Sequence, residues 1–303
     1  MPWDLYECKF RIKSPLHIGF HKVLILSRTR SYVPGKLIWA ALTAKLTPLL
    51  GINDYQKVGE FLKKAVRFGY FYPCVDDTLY LPQYTEEGLK FGHLPQTDFE
   101  KRFISSIAST AIQPQSLTAE EGTLHEIEFI SPYKIDDGKK VYLKGLLWVN
   151  EVSENGFIIS KNDDGFTLSY NGKSQDFKKG CQLQVGGERK YGFGLIELEE
   201  VKLIDRNDKD LNKIGFFGKW EESENEVRIS LEEDQWVWVH VKYNSELKIK
   251  GSIEPLVGRE WDYINNKGAG RKIVVHGLFW VPGSVLAEKS LFKITEFGFW
   301  EKV

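Results

Sequence analysis

Val185-Gly186-Gly187-Glu188-Arg189-Lys190-Tyr191-Gly192-Phe193-Gly194-Leu195-Ile196-Glu197-Leu198 puts four glycines into nine residues and then runs straight into an alternating apolar strand. That exit decides the fold class. A glycine-rich loop that opens a helix is a dinucleotide fingerprint, whereas one that opens a strand belongs to a β-rich architecture. Glycine lets main-chain amides approach a ligand with no Cβ in the way. Arg189 and Lys190 bring positive charge to the same turn, and Tyr191 and Phe193 bring flat faces. Such groups hold a phosphodiester strand with exposed bases. A tight β-turn whose glycines only satisfy positive φ accounts for the same residues, and the loop alone does not choose between the two.

At 303 residues and 42% hydrophobic, the chain is long enough for one large domain or two ordinary ones, which excludes a disordered or miniature protein. Aromatics at 14%, nine Trp and a single Met favour β-rich packing over a helical bundle. Lys and Arg number 41 against 42 Asp and Glu, so any nucleic-acid surface must be a local stripe. Cys8, Cys74 and Cys181 stand far apart, without metal-ligand spacing or a disulfide framework, which fits a reduced compartment. No apolar run is long enough to span a membrane, and the first residues carry no signal-like pattern. The expectation is a soluble cytoplasmic protein with no membrane partner.

Trp3 to Ile12 alternates as a first strand, bent by Ser14-Pro15-Leu16-His17-Ile18-Gly19. His21 to Arg30 follows, with an apolar centre and a basic rim of Lys22, Arg28 and Arg30. Tyr32-Val33-Pro34-Gly35 precedes a helical pattern from Lys36 to Leu46, whose N-terminus offers unpaired amides; plain punctuation is the other reading. A second helix is predicted over Asp54 to Val66, and an aromatic strand and turn over Phe68 to Tyr80. Leu81 to Gln96 reads as an irregular insertion, and Phe99 to Ile112 is ambiguous with some helical spacing. Strands follow at Leu124 to Phe129 and Val141 to Val149, then a hairpin around Asn162-Asp163-Asp164-Gly165.

The charged stretch at 205–213 reads as a linker, dividing a first domain at 1–205 from a second, β-rich domain at 206–303. Strands are predicted there at Val227 to Leu231, Trp236 to Tyr243, Leu247 to Ile253, Ile273 to Trp280 and Leu291 to Trp300. Gly258-Arg259-Glu260-Trp261 and Asn265 to Lys272 combine glycines, cations and an aromatic as the first loop does. Val281-Pro282-Gly283-Ser284 echoes Val33-Pro34-Gly35-Lys36, and the two echoes raise a duplicated architecture or chance.

Three segments, in order, resemble the RAMP superfamily of CRISPR-associated proteins. They are Ser14 to Gly19 with Tyr32 to Leu42, then Ala111-Ile112 with Leu117 to Phe129, then the loop Gly186 to Gly194. The resemblance implies an α+β, ferredoxin-like or RRM-like domain whose glycine-rich loop contacts guide RNA. It looks most like the type III effector subunits that hold the 5′ handle of the CRISPR RNA, with the backbone subunits that tile the guide next. The partners it implies are CRISPR RNA, other effector subunits and target RNA.

Processing members of that superfamily use a general-base His in metal-free attack by the RNA 2′-OH, a role for which His17 or His21 with Lys22 is the candidate here. A structural His beside a strand end is the commoner explanation, and those enzymes carry the loop near the C-terminus. Target-cutting subunits use an acidic residue in an early loop, and Gly19 to Lys36 holds no Asp or Glu. The Asp pairs 76/77, 136/137 and 163/164 read as solvated turns. No metal-ligand set, cofactor motif or nucleophile elbow is present in the sequence.

The expectation is therefore a non-catalytic RNA-binding subunit. Gly186, Gly187, Arg189, Lys190, Tyr191, Gly192 and Phe193 would touch RNA, with Arg28, Arg30, Lys36, His17 and Lys22 extending the track. Arg259, Lys267, Arg271 and Lys272 would form a second patch. The alternatives are a processing endoribonuclease and a protein-only scaffold.

Overall fold

The computed structural model describes residues 2–262 and 268–303. Among these, three α-helices stand beside many strands, most of them paired antiparallel, giving an α+β architecture that is mostly sheet. Two compact units emerge. One comprises Met1–Leu81, Lys90–Asp208 and Glu296–Gly298; the other comprises Pro82–Leu89, Lys209–Thr295 and Phe299–Val303.

The first unit is built on an antiparallel sheet in the order Gln182–Gln184, Leu195–Leu203, Asp4–Ile12, Tyr142–Val149, Val66–Val75, Thr78–Leu79. The alternation of the interior strand Asp4–Ile12 sorts the two faces. Tyr6, Cys8 and Phe10 share one side, where Phe10 meets Phe71 and Phe177 edge-on at 5.5 and 6.2 Å. Glu7, Lys9 and Arg11 take the other, where Glu7 pairs with Lys144 at 2.9 Å and the Arg11 guanidinium lies 4.7 Å from the Tyr133 ring.

Helix α1 (Gly35–Leu49) starts directly after the extended Pro34 and buries Ile38, Leu42 and Leu46. Helix α2 (Tyr55–Ala65) starts at Asp54, whose carboxylate accepts the amides of Gln56 at 3.0 Å and Lys57 at 3.3 Å. A cap of this kind contributes about 1 kcal/mol. The apolar face of α2 is Val58, Phe61 and Leu62, and Phe61 stacks on Phe157 at 4.9 Å. Phe157 belongs to a four-stranded meander of Ser153–Glu154, Phe157–Asn162, Gly165–Tyr170 and Lys173–Phe177, whose central hairpin turns at the predicted Asn162–Gly165. A second sheet orders Gly19–Val23, Leu26–Thr29, His125–Ile130 and Ile104–Ser109. It resolves the ambiguous stretch: helix α3 (Gln96–Phe103) buries Phe99 and Phe103, and strand follows at once. The stretch read as an irregular insertion holds short strands, Pro82–Thr85, Gly88–Phe91 and Leu94–Pro95.

The second unit carries a seven-stranded sheet ordered Lys219–Ser223, Glu226–Leu231, Ser290–Ile294, Trp300–Lys302, Val241–Lys242, Gly268–Trp280, Ile253–Asp262. Its core is aromatic, with Trp220, Trp238 and Trp300 buried and the last two edge-on at 4.7 Å. The charged stretch ends in a 3-10 turn, Leu211–Ile214, with Leu211 buried. Gly258 to Trp261 is not a loop resembling the first one. It lies inside strand Ile253–Asp262, because an edge strand tolerates glycine and charge on its solvated side. The proline echo also parts in structure: Gly35 opens a helix, whereas Gly283 turns at φ +96°. No helix is long and apolar enough to cross a membrane among the described residues.

Candidate nucleic-acid interface

The glycine-rich loop joins Gln182–Gln184 to Leu195–Leu203 and is pinned to the bend after the first strand. The amide of Gly187 donates to the His17 carbonyl at 2.9 Å and that of Gly194 to the Pro15 carbonyl at 2.8 Å, while the Leu195 amide donates to the Ser14 hydroxyl at 2.9 Å. Inside the loop, Val185 N–H meets the Gly194 carbonyl at 2.8 Å, and Tyr191 and Gly192 close the 3-10 turn Arg189–Tyr191 on the carbonyls of Glu188 and Arg189. The Gln184 side-chain amide donates to the carbonyls of Arg189 and Phe193, each at 3.2 Å. Glu188 holds a left-handed φ of 54°, an uncommon conformation outside glycine.

This internal bonding corrects part of the phosphate-cradle reading. The amides of Gly187, Gly192 and Gly194 already have partners within the protein, so these glycines shape the loop and do not present free donors from those positions. Gly186 shows why glycine is required. At φ +83° a Cβ there would lie 2.2 Å from the His17 carbonyl oxygen.

What the loop presents outward is side chains. Tyr191 is 76% exposed. Arg189 and Lys190 are exposed too, with no acidic partner among the described residues. Phe193 turns inward, buried and edge-on to Phe129 at 5.6 Å. Of the two aromatics, one is free to stack and the other buttresses.

The early hairpin is only partly available. Lys22 is exposed on strand Gly19–Val23. Arg28 is engaged by Glu128 at 3.3 Å and Glu100 at 3.5 Å. The Arg30 guanidinium sits 4.4 Å over the Phe20 ring and donates to the Tyr32 hydroxyl at 3.0 Å. Lys36 lies 4.7 Å from the Phe297 ring. His17 is buried; its Nδ1 lies 2.7 Å from the Glu128 carbonyl, an arrangement that makes this nitrogen the donor. Its ring lies beneath Gly187, so His17 positions the loop. Donation from Nδ1 leaves the lone pair on Nε2, on a ring that is only 7% exposed. Glu100, Glu128, Phe129 and Gln184 are the residues that sequence reasoning missed, since none carries a local motif.

The predicted second patch lies in the second unit. Arg259 and Arg271 are exposed on the ribbon of Ile253–Asp262 and Gly268–Trp280, Lys272 is opposite Glu260 in the register, and Lys267 lies outside the described residues. Among the described residues no group of three or more His, Cys, Asp or Glu is arranged to hold a metal.

No family model and no curated relative matches the chain. Among the solved structures that share its fold are chains of the type III-B Cmr-beta, in line with the resemblance read from the sequence. A chain of the cryo-EM structure of the type III-B Cmr-beta bound to cognate target RNA and AMPPnP shares the fold at a TM-score of 0.50 and 11% identity, over 92% of this chain and 85% of that one. The Cmr-beta bound to cognate target RNA aligns at 0.47 and 11% identity, over 92% and 86%, and oligomeric Cmr4 from Pyrococcus furiosus at 0.30 and 11%, over 67% and 100%.

Proposed function

We propose that this chain is a non-catalytic, RNA-binding subunit of a type III CRISPR effector. The observation that carries the reading is the loop: Arg189, Lys190 and Tyr191 stand outward on a 3-10 turn that the bend at Ser14 to Gly19 holds in place. Two unpaired cations beside an exposed ring suit a single-stranded backbone with a stacked base. The fold shared with a chain of the Cmr-beta, a complex whose structure contains cognate target RNA, supports the same reading.

The finer fold is a ferredoxin-like variant. Leu195–Leu203, Asp4–Ile12, Tyr142–Val149 and Val66–Val75 lie in the sheet in chain order four, one, three, two, with α1 and α2 in the first crossover. The meander Ser153 to Phe177 stands where that fold carries its second helix. In this reading Lys22 extends the basic track, Arg28 and Arg30 stiffen the hairpin beside it, and guide CRISPR RNA is the bound strand, with no cleavage by this chain.

The test measures affinity for a CRISPR repeat RNA against salt. Replacing Arg189 and Lys190 with Ala should weaken binding about tenfold and flatten the salt slope by about 1.4, the value for two phosphate contacts on a single strand. Unchanged affinity and slope would refute the assignment. Metal-free, site-specific cleavage lost in His21→Ala would replace it with the endoribonuclease.

A further inference from the structure

The ribbon of Ile253–Asp262 and Gly268–Trp280 has two unlike faces. Strand alternation with the register Val257↔Val275 and Arg259↔Ile273 collects Val257, Ile273 and Val275 on one side, and Pro255↔Leu278 adds Leu278. These four aliphatics are 58%, 63%, 67% and 51% exposed. A contiguous exposed aliphatic strip on a soluble unit marks an interaction surface.

The same side carries positive charge at one end. Arg259 and Arg271 follow the same alternation and are both exposed. The carboxylates of Glu254 and Glu260 turn to the opposite side, towards His240 at 2.6 Å and His276 at 3.7 Å. The face therefore reads aliphatic, then cationic, with no carboxylate from those two residues to balance it.

The backbone adds a third observation. Ile253–Asp262 is an edge of its seven-stranded sheet. Proteins commonly blunt a long edge with charge or distortion; this one carries Pro255, charged residues and register shifts after Leu256 and Glu260, yet still keeps an aliphatic face beside its edge. β-branched side chains offer no flat surface on which a base stacks, so protein suits the face better than RNA.

We propose that this ribbon docks an extended segment of a partner protein, added along the edge Ile253–Asp262. Its aliphatic side chains would lie beside Val257, Ile273 and Val275, and its carboxylates would meet Arg259 and Arg271. Main-chain bonds along the edge would supply affinity, and the charged end would set direction and choice of partner. The ribbon belongs to the second unit and the loop proposed to hold RNA belongs to the first, so each reading is tested on its own residues.

The full-length chain is titrated with two fluorescent ten-residue peptides, one of sequence VTVTVTETET and one with Lys in place of both Glu. The expected result is at least tenfold tighter binding of the acidic peptide, with slowed amide exchange across Ile253–Asp262. Val275→Glu should abolish binding. Arg259→Glu with Arg271→Glu, at exposed positions where the fold is not at risk, should invert the preference between the peptides. Equal binding of both peptides, or binding of neither, overturns the proposal. So does displacement of the acidic peptide by a ten-nucleotide oligouridylate, which makes the face an RNA surface, or self-association of the chain that Val275→Glu abolishes, which gives it to a second copy.

Discussion

The carbonyl oxygen of His17 occupies the space into which a side chain on Gly186 would project, 2.2 Å from the ideal Cβ position. Gly192 has the same φ of +83° but nothing within 4 Å of its Cβ position. The pair separates crowding from backbone preference. Gly192→Ala should cost only the left-handed strain, about 1 kcal/mol, and keep most RNA affinity. Gly186→Ala adds a backbone collision and should cost about 3 kcal/mol, with RNA affinity down at least tenfold. Thermal unfolding and RNA titration of both variants check this; equal effects would contradict the pinning of the loop by His17.

Tyr191 and Phe193 should fail in different assays. Tyr191 is exposed, so Tyr191→Ala should leave the melting temperature within about 1 °C while weakening RNA binding by about 1–3 kcal/mol, the worth of one stacked base. Tyr191→Phe should restore it. Phe193 is buried against Phe129, and Phe193→Ala should cost about 3 kcal/mol of stability.

Asp4 gives an acid-side prediction. Burial would raise its pKa, but hydrogen bonds and charge from Arg206 and Lys161 outweigh burial and hold it below its ordinary value. Lys161 Nζ lies 2.9 Å from Oδ2 and Arg206 Nη2 3.0 Å from the same oxygen. A depressed folded pKa contributes stability that is present above the unfolded value of 3.8 and is lost as pH falls through the folded one. Asp4→Asn should therefore cost about 3 kcal/mol at pH 7, with the gap to the native protein narrowing below about pH 4 in denaturant melts.

The three thiols should be silent until the protein unfolds. Burial raises the pKa of each, that of Cys74 to about 11 against the pull of Lys9 and Lys144. At pH 8 the native protein should react with a thiol reagent at well under one thiol per chain, and at all three in denaturant. Because the folded values lie above the unfolded ones, the unfolded chain loses protons first as pH rises. Stability should fall from about pH 9 upward.

Local patterns told the sequence reading much of the first unit. The alternation of Trp3 to Ile12, the helix predicted from Asp54 and the Asn162–Gly165 turn each depend on near neighbours, and each stands in the structure. Trp236 to Tyr243 misled because burial and strand pairing leave similar traces. Trp238 is fully buried by packing, while strand pairing is limited to Val241–Lys242 and an isolated bridge at Trp236. Arg28 looked free because its carboxylates, Glu100 and Glu128, lie far along the chain and only folding delivers them. In the loop the charges were legible, but which of Tyr191 and Phe193 faces outward, and the destination of each glycine amide, were tertiary facts.

The central sheet also sets a timetable. Asp4–Ile12 pairs with Leu195–Leu203, and Phe297 belongs to the same unit, its ring 5.2 Å from that of Trp39. At about 5–20 residues per second on the ribosome, the opening strand waits on the order of ten to forty seconds for its neighbour, and longer for Phe297. A nascent chain therefore lacks the bend-and-loop junction for most of its synthesis. If the loop holds RNA as proposed, capture waits until the chain has been made past Leu203, which would keep the earlier nascent chain from seizing stray transcripts beside the ribosome.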